Sequence, residues 1–361
     1  MPEQAWSVVL RSVICNTCDW RYLAPVDEMP DRCPHCAAAA LEVLDAEDAA
    51  FPYPYPPELV VPFSVDEDTI SRRIQTFAGG IPLPPKDLSP ASLSVRMQRL
   101  YLPMWLVDVD VKARWQAEVG FDYEVVSHQE HYRDGSGWDS QRVREGRVRW
   151  EPRAGRLRRR YENVTAPALE RYEQIRRAVG DISADAAVAY NGGALSAATV
   201  RAPDLNPEAA WPEAVPNIHR AAAEECRRAA QADHVRRFTW DPTYAGKNWT
   251  LLLLPLYATY YLDDEGKPRR VLLNGRTGRA YGSRRGSPSR AQRVALIVGL
   301  IALVLFVLSL GAALAAFLFP PLLVIGIIGI VLSLMVGAGA FVPIIQVWTF
   351  NRREARAEEE G

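Results

Sequence analysis

The sequence is short of several things. Between Val294 and Phe350 it has no charged residue at all. Its net charge is −1, so no global excess of either sign points to nucleic acid or to an acidic partner. The opening MPEQAWSVVLRSVIC lacks a basic segment followed by an apolar one, so no secretory signal is expected. No phosphate-binding loop, Gly-x-Ser-x-Gly elbow, His-Glu-x-x-His or paired-carboxylate motif occurs. The usual signatures of nucleotide, hydrolase and metalloprotease chemistry are therefore missing.

Cysteine is scarce but patterned. Four of the five cysteines form two pairs, Cys15–Cys18 and Cys33–Cys36, in the spacing C-x2-C-x14-C-x2-C. Two tight knuckles can bring four thiolates to the corners of a tetrahedron around Zn²⁺. With all four corners taken by cysteine, no position remains for a catalytic water. A structural Zn²⁺ is expected, folding a module over 1–45 that is too small for a core of its own. His35, inside the second knuckle, reads as a solvent-facing or outer-sphere residue, and Cys226 as a small buried residue of a helix. The knuckle region carries Asp19, Asp27, Glu28 and Asp31 against Arg21 and Arg32. That balance disfavours phosphate contact and favours a protein contact or purely structural service.

Five prolines between Pro52 and Pro62 predict a stiff extended segment, either a linker over 46–62 or an edge-lying stretch. Val65–Phe77 has helical spacing, with Ser64 placed as N-cap. LSVRMQRLYLPMWLVDVDVKARW reads as a short helix or turn entering a long strand. GFDYEVVSHQEHY, GRVRW and GRLRRRYENV follow as strands with glycine turns, and RVREGRVRW as a hairpin about Glu145–Gly146. Helices are expected over Ala168–Val179 and Ile218–Val235. NWTLLLLPLYATYYLDDEGKPRRVLLNGRTGRAYG reads as strand, turn, strand and an Asn274–Gly275 turn. Leu102-Pro103-Met104-Trp105 and Leu254-Pro255-Leu256-Tyr257 hint at two related β-units. The fold class is α+β, with a mixed domain over 63–285.

A bilayer core takes about 20 apolar residues per helix. The uncharged C-terminal stretch fits two spans over 290–350, roughly 294–318 and 322–347, turning at Pro320–Pro321. Arg284, Arg285, Arg290 and Arg293 precede it, and Arg352, Arg353 and Arg356 lie in the tail 351–361. Both ends are therefore expected in the cytosol. Gly329, Ser333 and Gly337 form a small-residue ladder suited to packing on the first span or to an oligomer contact. No ionisable group lies within the spans, which argues for an anchor over a transporter.

Arg142–Arg160 holds nine arginines against two glutamates, a basic strand face for lipid headgroups, nucleic acid or an acidic partner, or a solvated surface. His128, His131 and Asp134, and Asp233 with His234, have no accompanying catalytic motif and read as surface or locally bonded residues.

The ribbon of cysteines, YLPMWLVD (Tyr101–Asp108), LLLLPLYATYY…VLLNGRTGRAYGSRRGSPS (Leu251–Ser289) and the apolar C-terminus occur here in one order. In this the chain resembles bacterial membrane proteins with a transcription-factor-IIB-type zinc ribbon. It departs from them at Arg284-Arg285-Gly286, where relatives tend to carry one basic residue and proline. The resemblance implies a non-enzymatic scaffold in the bacterial cytoplasmic membrane. It would have its soluble part in the cytosol and recruit band-7 (flotillin-like) or phage-shock-type proteins in envelope stress. The alternative is a membrane-tethered nucleic-acid-binding protein.

Overall fold

The computed structural model describes residues 6, 9–26, 29–38, 40–44, 56–133, 137–195, 197–315 and 319–360, with side chains except at 129–133, 137–141 and 358–360. In chain order, β1 (Leu10–Ile14) and β2 (Arg21–Pro25) flank the first cysteine pair, and β3 (Glu42–Val43) and β4 (Leu59–Val60) follow. Helices α1 (Glu67–Gly79) and α2 (Pro90–Val95) lead to β5 (Gln98–Arg133) and β6 (Gly137–Pro167). Then come α3 (Tyr172–Val179), β7 (Val188–Ala189), β8 (Ala198–Arg201) and α4 (Pro207–Ala229). Strands β9 (His234–Leu262), β10 (Pro268–Asn274) and β11 (Ala280–Gly282) precede α5 (Pro288–Ala315), α6 (Leu322–Gly339) and α7 (Val342–Glu360). The fold is mixed α+β, with a cysteine cluster near the N-terminus and apolar helices near the C-terminus.

The chain forms two compact units. The first comprises Met1–Pro103, Glu170–Pro203 and Leu253–Gly361, the second Met104–Leu169 and Asp204–Leu252. Residues 63–285, expected as one α+β block, are thus shared between them. Strands β5 and β9 each contribute to both. The two Leu-Pro tetrapeptides lie in these strands, which are neighbours in the sheet.

In the first unit, the strand order β11-β10-β9-β5-β8-β2-β1-β3 carries the cysteine segment as part of the sheet. Tyr22 and Leu23 of β2 pair with Arg201 and Val200 of β8, and β8 lies parallel to Arg99–Tyr101 of β5. Of the proline-rich segment, 46–55 lies outside the described residues. Its described end is sheet: β4 pairs β7, and the Val61 amide donates to Leu253 at 2.9 Å. Helix α1 places Ile70, Ile74 and Phe77 on one stripe, buried with Tyr257, Tyr261, Val271 and Leu273. Its N-cap is Asp66, not Ser64, because the Asp66 carboxylate accepts from the Thr69 amide at 2.7 Å. Helix α3 starts at Tyr172, later than the expected Ala168.

In the second unit, β5 and β6 pair without a break from Met104↔Pro167 to Arg133↔Gly137, apart from one register shift between Val107 and Val109. The expected hairpin at Glu145–Gly146 is absent, since Gly146 pairs Glu124 in mid-strand. Gly155 pairs Trp115, and a Cβ there would lie 3.1 Å from the Trp115 ring. This glycine makes room for an indole and does not turn the chain. Helix α4 covers one sheet face. Its buried residues Ala210, Ala214, Ile218, Ala222 and Cys226 recur every four positions, and Ile218 packs with Val109, Val111 and Ala113. It begins at Pro207, where Asn206 caps the Ala209 amide, eleven residues before the expected start. It ends at Ala229, so Val235 belongs to β9.

Two helical stretches are long and apolar enough to cross a membrane, Pro288–Ala315 (α5) and Leu322–Ala357 (α6 continued by α7). Their most apolar windows are only 6% and 11% buried, unlike the core helix of a water-soluble domain. The chain turns at Pro320–Pro321 as expected; 316–318 lie outside the described residues. Gly326 and Gly329 bring the backbones together, as added Cβ atoms would lie 2.6 Å from the Ala313 nitrogen and 2.2 Å from Ser309 Oγ. With Ser333 buried, the small-residue ladder faces α5 of the same chain. The second expected span is interrupted at Ala340–Phe341. There two i→i−3 hydrogen bonds tighten the backbone just before Pro343.

Candidate metal centre

The two knuckles are built alike. In each, the residue after the second cysteine donates its amide to the carbonyl of the first: Asp19 to Cys15 at 2.8 Å and Ala37 to Cys33 at 2.9 Å. Each of these residues is left-handed, with φ 58° at Asp19 and 54° at Ala37. That turn folds the second thiol of each pair back beside the first. Strands β1 and β2 hold the first knuckle between them, and the Cys15 amide closes on the Trp20 carbonyl at 3.0 Å. Arg32 fixes the second by donating to the carbonyls of Ala37 and Ala38.

The result is a cluster of four sulfurs, all within 4.8 Å of one another. Cys15 Sγ lies 3.6 Å from Cys36 Sγ, and Cys18 Sγ 3.7 Å from Cys33 Sγ. Four thiolates bound tetrahedrally at about 2.3 Å from one ion would be about 3.8 Å apart, so the donor set fits a metal ion. Cys15 and Cys33 are buried, and Cys18 and Cys36 half-buried. Burial pushes the thiols of Cys18 and Cys36 up. At Cys15 the same burial is outweighed by hydrogen bonds from the Thr17 and Cys18 amides, and the thiol is lowered. A divalent cation would supply the charge that lets all four ionise together.

The residues around the sulfurs were not legible in the spacing. Tyr22 OH lies 3.3 Å from Cys33 Sγ, and the His35 amide donates to the same sulfur at 3.4 Å. The His35 ring stacks on Trp20, with centroids 3.7 Å apart and planes at 16°. Its burial, with Arg270, Arg201 and Arg171 nearby, lowers its basicity to about 3, so it is neutral. It stands outside the cluster of four. Arg201 donates to the Arg21 carbonyl at 2.9 Å and lies 4.6 Å over the Trp20 ring. A residue so distant in sequence gave no local signal.

The other singled-out residues do not gather. His128 is exposed; the His131 side chain and Asp134 lie outside the described residues, as do Asp27 and Glu28. His234 bonds Asp122 at 2.8 Å, and Asp233 accepts from the Asp122 amide, so both are held at the sheet. Cys226 is buried under α4, where desolvation raises its thiol to about 11. Asn274 is fully buried. Its side-chain Oδ1 accepts from the Arg276 and Thr277 amides, and its Nδ2 donates to the Val179 and Asp181 carbonyls. Gly275 meets Pro255, where a Cβ would lie 2.8 Å from the Pro255 oxygen. The Leu-Pro and Asn-Gly motifs therefore make one tight turn contact.

Compared with protein-family models, curated proteins and solved structures, the chain matches none.

Proposed function

We propose that the protein is a membrane-anchored scaffold of the cytosolic face, stapled at its N-terminal end by one structural Zn²⁺ on Cys15, Cys18, Cys33 and Cys36. Zinc suits a set of four thiolates, and such a set leaves no coordination position for chemistry. The two apolar helices form the anchor, and their arginine flanks favour both termini on the cytosolic side. The partners fit band-7 (flotillin-like) or phage-shock-type proteins, as the resemblance to the zinc-ribbon membrane proteins implies.

The observation that carries this reading is the junction between the apolar helices and the sheet of the first unit. Phe350 of α7 packs against the cluster of Ile70, Tyr261 and Val271. Asn351 binds Gly286, and Arg285 donates to the Asn351 carbonyl at 3.0 Å. The helices are thus joined to the sheet by packing, and to the segment that leaves it by hydrogen bonds, as well as by the chain, as a scaffold held at a fixed surface requires.

Crosslinked copurification from gently solubilised membranes tests it. Recovery of a band-7 or phage-shock-type protein with the chain is expected. Recovery of the chain alone after crosslinking would overturn the scaffold reading.

A further inference from the structure

The nine arginines of Arg142–Arg160 do not share one face. The β5–β6 register places Arg142, Arg144, Arg156, Arg158 and Arg160 on one side and Arg147, Arg149, Arg153 and Arg159 on the other. On the second side each has a carboxylate partner: Arg147 with Glu145, Arg149 and Arg153 with Glu151, and Arg159 with Glu225 of α4. On the first side, Arg160 is neutralised by Asp108, Asp110 and Glu162.

The block beside Arg160 is different. Lys112 pairs directly with Arg158, and Arg114 with Arg156. All four are exposed, and among the described residues none makes an ion pair. Directly opposed strand residues have Cβ atoms about 5 Å apart, and like charges there repel. Folding therefore gathers four cations, in two repelling pairs, on a face that α4 does not cover. Helix α4 takes the opposite side, against Val109, Val111 and Ala113. An anionic surface would relieve the repulsion.

We propose that Lys112, Arg114, Arg156 and Arg158 form a docking face for the anionic headgroups of the lipid surface. Along the β5–β6 pair the next positions on this face are Gln116 and Ala154, which offer no aromatic ring for bases to stack on, as single-stranded nucleic acid would favour. A chain anchored by its own helices meets a lipid surface at high effective concentration, so weak attraction per cation suffices. This inference rests on the membrane-anchored reading above.

The full-length protein, carrying an environment-sensitive fluorophore at Gln116→Cys, tests it after reconstitution into vesicles. One set is zwitterionic phosphatidylcholine alone and the other includes phosphatidylglycerol, and both contain headgroup-labelled quencher lipid. Quenching should be several-fold stronger in the anionic vesicles. It should fall to the zwitterionic level at high salt, where screening is short-ranged, and in Arg156→Glu/Arg158→Glu. Equal quenching in both sets from a chain that resists alkaline carbonate would overturn the docking face alone. Release of the chain by carbonate would overturn the anchor and this face with it. Loss of anionic quenching on adding an RNA oligonucleotide that binds the detergent-solubilised wild type but not the charge-reversed variant would assign the face to nucleic acid instead.

Discussion

Asn351 and Gly286 exchange two hydrogen bonds: the Gly286 amide donates to Asn351 Oδ1 at 2.8 Å, and Asn351 Nδ2 donates to the Gly286 carbonyl at 3.1 Å. The pair ties the middle of α7, where its apolar stretch ends, to the segment that enters α5. Gly286 is buried, and a Cβ there would lie 2.7 Å from the Pro82 oxygen. Asn351→Leu strands a buried amide and carbonyl, which costs roughly 1–3 kcal/mol. Thermal unfolding of the detergent-solubilised protein should show a lower Tm, with faster proteolytic cleavage between the sheet and α5.

Tyr22 supports the sulfurs from behind, through its hydroxyl at Cys33 Sγ. Outer-sphere hydrogen bonds of this kind change metal affinity by about 10–100-fold. Tyr22→Phe should therefore weaken metal binding by about tenfold in competition with a chromophoric chelator, with the fold retained. Cys33→Ser should abolish tight binding and expose the segment around the knuckles to protease.

Close approach between α5 and α6 depends on particular glycines. A Cβ on Gly326 would meet the Ala313 backbone at 2.6 Å, whereas Gly311 has nothing within 4 Å. Gly326→Ala should destabilise the protein by roughly 1–3 kcal/mol through overpacking. Gly311→Ala should be neutral or slightly stabilising, because alanine favours helix. Thermal aggregation in one detergent compares the two.

The sequence made some of this visible for physical reasons. Short-range cysteine spacing dictates short-range geometry, so the cluster of Cys15, Cys18, Cys33 and Cys36 was readable, as were the turns at Pro320–Pro321 and Asn274–Gly275. What was hidden depended on distant partners. Gly146 and Gly155 looked like turns because glycine breaks the pattern, yet cross-strand pairing keeps both in mid-strand, and the Trp115 ring explains Gly155. Pro212 and Pro216 lie inside α4, where the buried stripe from Ala210 to Cys226 outweighs them. The division of the arginines between faces needed a register that only the full length of β5 and β6 supplies.

Asp87 is a titratable link within the first unit. Burial pushes its carboxyl up, but the Arg96 guanidinium and the Leu262 amide at 2.7 Å outweigh that and lower it. A carboxyl lowered by folding stabilises above its unfolded value, about 3.9, and that stabilisation is lost as pH falls through the folded value. The Tm difference between wild type and Asp87→Asn should hold from neutral pH down to about 5 and shrink below about 4.

The zinc content of carbonate-washed membranes bearing the full-length chain tests most directly whether one chain joins a metal-stapled module to a membrane anchor. One zinc per chain is expected in the pellet, falling to background in Cys15→Ser/Cys33→Ser while that variant still pellets. Chain in the supernatant, or metal-free chain in the pellet with protease-resistant knuckles, would contradict it.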